Sequence, residues 1–232
     1  MGQKIMAFIQ ARMGSSRLPG KSLMPILGVP LIMQVIARVQ HVRGLDEIVV
    51  VTSHDAADDV LVETLHAAGR KVFRGDLENV QKRFHDAALK FRPDVIMRIT
   101  GDNPLIEPIL LERMIQTWEQ DKADYVACQT CILGVGAELF TRAAFERAIA
   151  LSTNTYDREH VTPPFYQNES KFKVRRVPVE EHLADATITL TVDSTADFEK
   201  IVDLFERFYH DGYISNEEVV AYLRKEMNER YT

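Results

Sequence analysis

Short apolar runs alternate along this chain with stretches whose apolar residues recur every three or four positions. IMAFI (5–9) reads as a strand, and Leu31, Val35, Val39 and Val42, flanked by Ile32 and Ile36, mark one face of a helix. EIVVVTS (47–53) is a buried-strand run, and Asp55 is placed to cap a helix reaching about Ala68. KVF (71–73) is a third strand. Residues 78–91 form a helix with Val80, Phe84, Ala87 and Ala88 inward. DVIMRIT (94–100) is a fourth strand, Pro108 sits near the start of the next helix, and DYVAC (124–128) is a fifth strand. Beyond residue 128 the pattern loosens. A helix near 141–151 precedes the polar segment STNTYDREH; strands are expected near 172–177 and 187–192, and helices at about 195–210 and 215–229.

The β-α-β-α order implies an α/β fold with a mostly parallel sheet and helices on both faces. We read one domain over residues 1–232, within which about 130–180 form a smaller lobe that covers the site or makes an oligomer interface. Ligands of open parallel sheets collect beyond the carboxyl ends of the strands. That rule puts the loops 10–21, 52–55, 74–79 and 100–107 on one edge.

Composition narrows the function. The 232 residues are 46% hydrophobic and 27% charged, as in globular proteins. The apolar runs are too short for a membrane span, and the first residues lack a signal-peptide pattern, so a cytoplasmic location is expected. The net charge of −6 argues against general nucleic-acid affinity. Its distribution is uneven: residues 1–45 carry +6 and the remainder −12. A basic pole on an acidic chain suits a small polyanion. Cys128 and Cys131 form one CxxC, too few ligands for a zinc site and not placed at a helix start as redox pairs usually are. They read as structural thiols.

The basic pole centres on QARMGSSRLPGK (10–21), directly after the first strand. Gly14 and Gly20 permit close backbone approach, successive N–H groups can nest an anion, and Ser15 and Ser16 add hydroxyl donors. Arg12 and Arg17 supply planar forks and Lys21 a mobile point charge. Two familiar phosphate sites fail on spacing. Gly14 and Gly20 enclose five residues where a P-loop has four, Pro19 removes a donor, and GxGxxG is absent.

The stretch IQARMGSSRLPGKSLMPILGVPLI resembles the signature of sugar nucleotidyltransferases, in particular the cytidylyltransferases that activate acidic sugars (CMP-Kdo and CMP-acylneuraminate synthetases) and their spore-coat-polysaccharide-type branch. The resemblance continues through DEIVVVTS, VFRGD, RITGDNPLI, DREHVTPPFY and TVDSTADFEKI, in order along nearly the whole chain. It implies a Rossmann-related, glycosyltransferase-A-like nucleotidyltransferase fold and transfer of CMP from CTP to an acidic sugar, with release of pyrophosphate. It also implies a homodimer. Arg12, Lys21 and Asp102 are then the expected catalytic residues, with Ala11, Gly14, Ser15, Ser16, Arg17 and Gly101 around the nucleotide. Asp102 and Asp193, each after a strand, are the expected Mg²⁺ ligands; magnesium commonly takes one or two protein carboxylates and completes its shell with phosphate and water. Thr52 and Ser53 are placed at the pyrimidine edge and Arg74 at the base or ribose. Arg98, a charge within an apolar strand, needs a partner or a polyanion and is counted among the nucleotide contacts.

Asn103, Glu138, Arg158 and His160 are the expected acceptor contacts. The branch often carries a PDGLDVEVF-type segment where this chain has ILGVGAELF (132–140); Glu138 remains but the preceding aspartates are absent, so the family's acceptor does not transfer. Two rival readings follow: a P-loop-like kinase, and a nucleotide-binding paralogue with a regulatory role.

Overall fold

The computed structural model describes residues 2–210 and 212–229. Its centre is a seven-stranded sheet. β1 (Ile5–Gln10) is followed by two two-residue strands, β2 (Pro25–Ile26) and β3 (Val29–Pro30), that pair as a hairpin. Then come α1 (Leu31–Val39), β4 (Glu47–Ser53), α2 (Asp59–Ala67), β5 (Lys71–Gly75), α3 (Val80–Phe91), β6 (Val95–Thr100), α4 (Pro108–Asp121) and β7 (Tyr125–Cys128). The second half supplies β8 (Glu138–Thr141), α5 (Arg142–Ile149), α6 (Thr155–His160), α7 (Pro163–Gln167), β9 (Val174–Val177) and α8 (Thr195–Phe208). A last hairpin of β10 (Tyr209–His210) and β11 (Tyr213–Ile214) leads into α9 (Asn216–Glu229).

The sheet order is β5-β4-β1-β6-β8-β7-β9, and β8 alone runs antiparallel to its neighbours. This is the mostly parallel, nucleotidyltransferase-type α/β sheet that the sequence implied. Alternation along β1 shows how it is covered. Ile5, Ala7 and Ile9 enter one core with α1, α4 and α8, whereas Met6 and Phe8 enter the other with α3, α5 and α7. Strand order reverses between β1 and β6, whose carboxyl ends at Gln10 and Thr100 are register partners. A crevice opens at such a switch point.

Local chemistry fixes the helix starts. Asp55 accepts from Ala57 N, Asn79 from Lys82 N and Glu107 from Ile109 N ahead of Pro108. The helix expected from Asp55 begins as a 3-10 turn before α2.

In the second half, residues 130–180 contribute β8 and β9 to the central sheet. One difference from the sequence reading lies just beyond them. The strand expected near 187–192 is a single bridge, Leu133 to Thr189. Backbone bonds hold that segment in place: Leu190 N donates to Leu133 O and Val192 N to Asp102 O. No helix among the described residues is long and apolar enough to cross a membrane.

Candidate active site

The loop after β1 turns back at Gly20, which adopts the left-handed conformation (φ 77°) that favours glycine. Gly14 does not need that freedom; its φ is not positive and a Cβ there would meet open space. Gly20 N and Ser15 N both donate to Met13 O, and the Ser15 hydroxyl accepts from Leu18 N. The turn delivers Lys21 into the structure with its ammonium buried. Lys21 Nζ donates to Asp102 Oδ2 (2.8 Å), Asp193 Oδ1 (3.1 Å) and the Val192 carbonyl (2.6 Å). Arg17 reaches Asp193 Oδ1 at 2.9 Å.

Two carboxylates from distant parts of the chain thus converge on one cation. Ser194, in a capping box with Asp197, caps α8, which leaves the Asp193 carboxylate to Lys21 and Arg17. Asp102 gives its carbonyl to Val192 N and its carboxylate to Lys21. Gly101 allows this close assembly: a Cβ there would lie 2.9 Å from Gln10 O and 3.0 Å from the Ala11 side chain.

A cleft of about 220 Å³ lies over this cluster, lined by Ala11, Arg12, Ser15, Ser16, Arg17, Lys21, Gly101, Asp102 and Asp193 among others. The structure brings all of these sequence-predicted residues together. It adds Glu159 of α6, which the sequence placed beside Arg158 and His160 without a role. A larger cavity, about 310 Å³, opens at the opposite end of β4. Its cations Arg70 and Lys71 stand against Asp46 and Glu47, so it offers a triphosphate no net charge.

The donor set fits magnesium. Asp102 and Asp193 supply two carboxylate oxygens around one point already occupied by positive charge, and no cluster of three or more ligating side chains occurs among the described residues. Such a site leaves most of the ion's shell to phosphate and water.

Two buried residues that the sequence reading missed support the cleft from behind. Asp58 accepts from Met13 N (2.7 Å), Thr52 Oγ1 (2.9 Å), Ser53 N (3.1 Å) and the Ser53 hydroxyl. Burial pushes its carboxyl up, but the bonds from Met13, Ser53 and Thr52 outweigh burial and hold it below its usual range. Arg83 on α3 is fully buried and donates to the carbonyls of Asp76 and Leu77. Burial and then the neighbouring Arg12 guanidinium lower its pKa to about 10, so it remains a cation at neutral pH.

Asp58 changes the reading of Thr52 and Ser53. Both are fully buried with their hydroxyls on Asp58, so they fix the strand end and do not face a base here. Arg74 clamps the same turn through Ser53 O, Asp55 O and Asp59. We expect Asp58→Asn to cost about 1–3 kcal/mol at neutral pH, measured by urea unfolding. The ionised carboxylate stabilises the fold above the ordinary carboxyl pKa, and that contribution is lost as pH falls through the depressed folded value. The difference between Asp58→Asn and the parent should therefore shrink toward acid pH.

A second cavity of about 290 Å³ adjoins the first at Thr100 and is lined by Arg98, Asn103, Tyr125, Cys128, Cys131, Gly136, Ala137 and Glu138, among others. Arg98, expected at the nucleotide, lines this cavity and not the cleft: it and Glu138 are register partners across β6 and β8 and form an ion pair. Glu138 also accepts from Tyr125 OH (2.5 Å) and Thr162 Oγ1 (2.6 Å). Its oxygens are therefore committed, and it holds Arg98 in place more than it faces a ligand. Burial, then the Glu138 carboxylate, push the Tyr125 phenol far above its ordinary pKa, so it donates as a neutral phenol. Asn103 donates to Thr100 Oγ1 while its own Oδ1 is buried without a partner. Arg158 and His160 line neither cavity; the His160 ring packs on Tyr156. Glu138→Ala would strand a mostly buried guanidinium and two hydroxyl donors. We expect it to lower stability by about 2–3 kcal/mol, read as a shift in the urea midpoint.

Known proteins share both the sequence and this architecture. The family model described as cytidylyltransferase matches residues 6–228. The spore coat polysaccharide biosynthesis protein SpsF of Bacillus subtilis is 32% identical over 228 residues, covering 95% of this chain and 94% of that one. A 3-deoxy-manno-octulosonate cytidylyltransferase of Anaeromyxobacter dehalogenans is 38% identical over 114 residues, about half of each chain. The solved structure of a cytidylyltransferase from Leptospira borgpetersenii superposes with a TM-score of 0.88 at 29% identity, covering 98% of this chain and 96% of that one. With a matching model across almost its full length and a relative aligned from end to end, this chain belongs to the cytidylyltransferase family of nucleotidyl-transferring enzymes.

Proposed function

We propose that the protein transfers CMP from CTP to a hydroxyl of an acidic sugar and releases pyrophosphate. The observation that carries this reading is the convergence of Asp102 and Asp193 on the Lys21 ammonium inside a cleft walled by Arg12, Arg17, Ser15 and Ser16. A triphosphate brings negative charge that such a cleft neutralises, and the two carboxylates suit the cation that accompanies it. The second cavity, which shares Thr100 with the cleft, supports a neighbouring acceptor site.

In this mechanism an acceptor hydroxyl attacks the α-phosphorus in line with the departing pyrophosphate. Lys21 and Arg12 lie where negative charge grows on the equatorial and leaving oxygens, and fixed donors there act most strongly in a site shielded from water. Arg17, Ser15 and Ser16 orient the β- and γ-phosphates. Asp102 and Asp193 would hold Mg²⁺, which when bound gathers phosphate oxygens and offsets their charge. With the carboxylates so engaged, Lys21 would be free to turn its ammonium to the phosphates. Arg98, steadied by Glu138, offers the acceptor cavity a guanidinium suited to a sugar carboxylate. The resemblance adds a homodimer to this reading, which sedimentation velocity checks.

A pyrophosphate-release screen of four nucleoside triphosphates against a panel of 3-deoxyoctulosonic and nonulosonic acids tests the function. Release that requires both CTP and one of these acids is expected. Release with neutral sugars alone contradicts the acidic acceptor, and a nucleoside diphosphate product contradicts nucleotidyl transfer.

A further inference from the structure

Cys128 ends β7, and Cys131 follows a two-residue bend. They are the chain's two cysteines, and both are free, partly exposed thiols. Both line the second cavity beside Arg98, Asn103 and Glu138. A Cβ placed on Gly136 would lie 2.8 Å from Cys128 Sγ and 3.5 Å from Cys131 Sγ. The two sulfurs therefore converge on one point of the cavity wall, at the segment where this chain carries Val135, Gly136 and Ala137.

We propose that Cys128 and Cys131 are a reversible redox pair whose disulfide reshapes the acceptor cavity and leaves the phosphate cleft intact. The effect on turnover rests on the acceptor reading above; the bond itself does not. The two cavities share Thr100 alone among their described lining residues. The neighbouring Cys128 thiol lowers the pKa of Cys131 against the effect of burial, whereas Cys131 and burial raise that of Cys128. Cys131 is thus the half that ionises first and attacks.

The oxidant is a low-molecular-weight disulfide such as glutathione disulfide. The Cys131 thiolate attacks one of its sulfurs, the S–S bond breaks, and one glutathione leaves as a thiolate that takes up a proton. Cys128 then loses its proton and attacks the Cys131 sulfur, displacing the second glutathione. Two protein thiols are oxidised to one disulfide, and one glutathione disulfide is reduced to two thiols.

Closure draws the sulfurs to about 2.05 Å and pulls the start of the 131–137 loop toward β7. That loop is tethered through its middle, from Ile132 to Val135, which leaves the Cys131 and Gly136 ends to take up the change. Ile132 N donates to Leu183 O, Glu107 N donates to Val135 O, and Gly134 (φ 105°) lies so close to Leu190 and Thr191 that a Cβ would meet their backbone at 2.7 Å. The displacement therefore falls on the cavity wall.

The full chain is treated with glutathione disulfide, and its thiols are titrated and its intact mass recorded. We expect both thiols to disappear together with a mass loss of two hydrogens, and dithiothreitol to restore them. Cys131→Ser should instead keep its single thiol or carry one glutathione. Hydrogen exchange should change in 131–137 and not in 11–23, with calorimetric MgCTP affinity unaltered. Thiols that resist oxidation, stable glutathione adducts on the parent chain, or altered exchange in 11–23 with lost CTP binding would each overturn the proposal. These readouts need no acceptor, so they stand apart from the pyrophosphate screen. With an acceptor from that screen, oxidation should lower its kcat/KM about tenfold or more; an unchanged value in the disulfide form would overturn the proposed effect on the cavity.

Discussion

Lys21→Ala is expected to lower turnover on the order of 10²-fold or more while CTP still binds. The reason is geometric. Lys21 Nζ is a nearly buried point charge within 3.1 Å of both carboxylates that define the site, in the loop that wraps the phosphate cleft. A donor placed at developing charge affects the transition state more than the ground state, and removing one such group costs about this much in turnover. The loss should appear in kcat more than in the KM for CTP. Arginine at this position should not restore the rate, because its larger planar fork does not bring the compact, mobile point charge of an ammonium to the phosphates. The variant carries a second signature. Without Lys21 the carboxylates of Asp102 and Asp193 face each other with only Arg17 to offset them, so divalent cations should bind the free protein at least as well as before. Near-parental turnover in Lys21→Ala would remove the residue from the chemistry.

Asp102→Asn and Asp193→Asn should each reduce turnover on the order of 10³-fold, because each keeps the side chain's shape and removes its charge toward the cation. Neither carboxylate caps a helix, since Ser194 and Asp197 perform that task for α8. Each single variant still leaves Lys21 the other carboxylate and the Val192 carbonyl, so the fall in thermal stability should be modest beside the loss of turnover. A steep dependence of the residual rate on magnesium concentration is expected, as a weakened site fills only at higher metal. Equal rates in parent and variants across a magnesium titration would place the metal elsewhere.

Part of this site is legible in the sequence because it sits at strand ends. Lys21 closes the loop after β1 and Asp102 follows β6, ends that a parallel sheet gathers on one edge; Asp193 follows no sheet strand and is brought there by the Val192 N bond to Asp102 O. What the sequence does not show is which neighbour a short polar side chain will choose. Thr52 and Ser53 read as donors at an open edge, yet Asp58, five or six residues on, takes both hydroxyls. Arg83 shares the inward face of α3 with Phe84 and Ala87; an arginine there reads as solvated until the carbonyls of Asp76 and Leu77 are seen to receive it. Glu138 was legible as a polar residue beside a divergent segment. Its role as the partner of Arg98 was not, because the strand that carries it is four residues long and follows a glycine-rich stretch without clear alternation. The strand expected near 187–192 fails for the converse reason. Its alternation reflects packing against the 131–137 loop through one bridge, not a place in the sheet.

The central claim is that the amino-terminal cations and the two distant aspartates meet around a single metal-bound triphosphate. Electron paramagnetic resonance of Mn²⁺, a cation with magnesium's preference for oxygen ligands, tests it directly when titrated into the parent and into the Asp102→Asn, Asp193→Asn double variant at fixed CTP. The account predicts one protein-bound, CTP-dependent Mn²⁺ per parent chain and its loss in the double variant. Undiminished Mn²⁺·CTP binding by the double variant would contradict it.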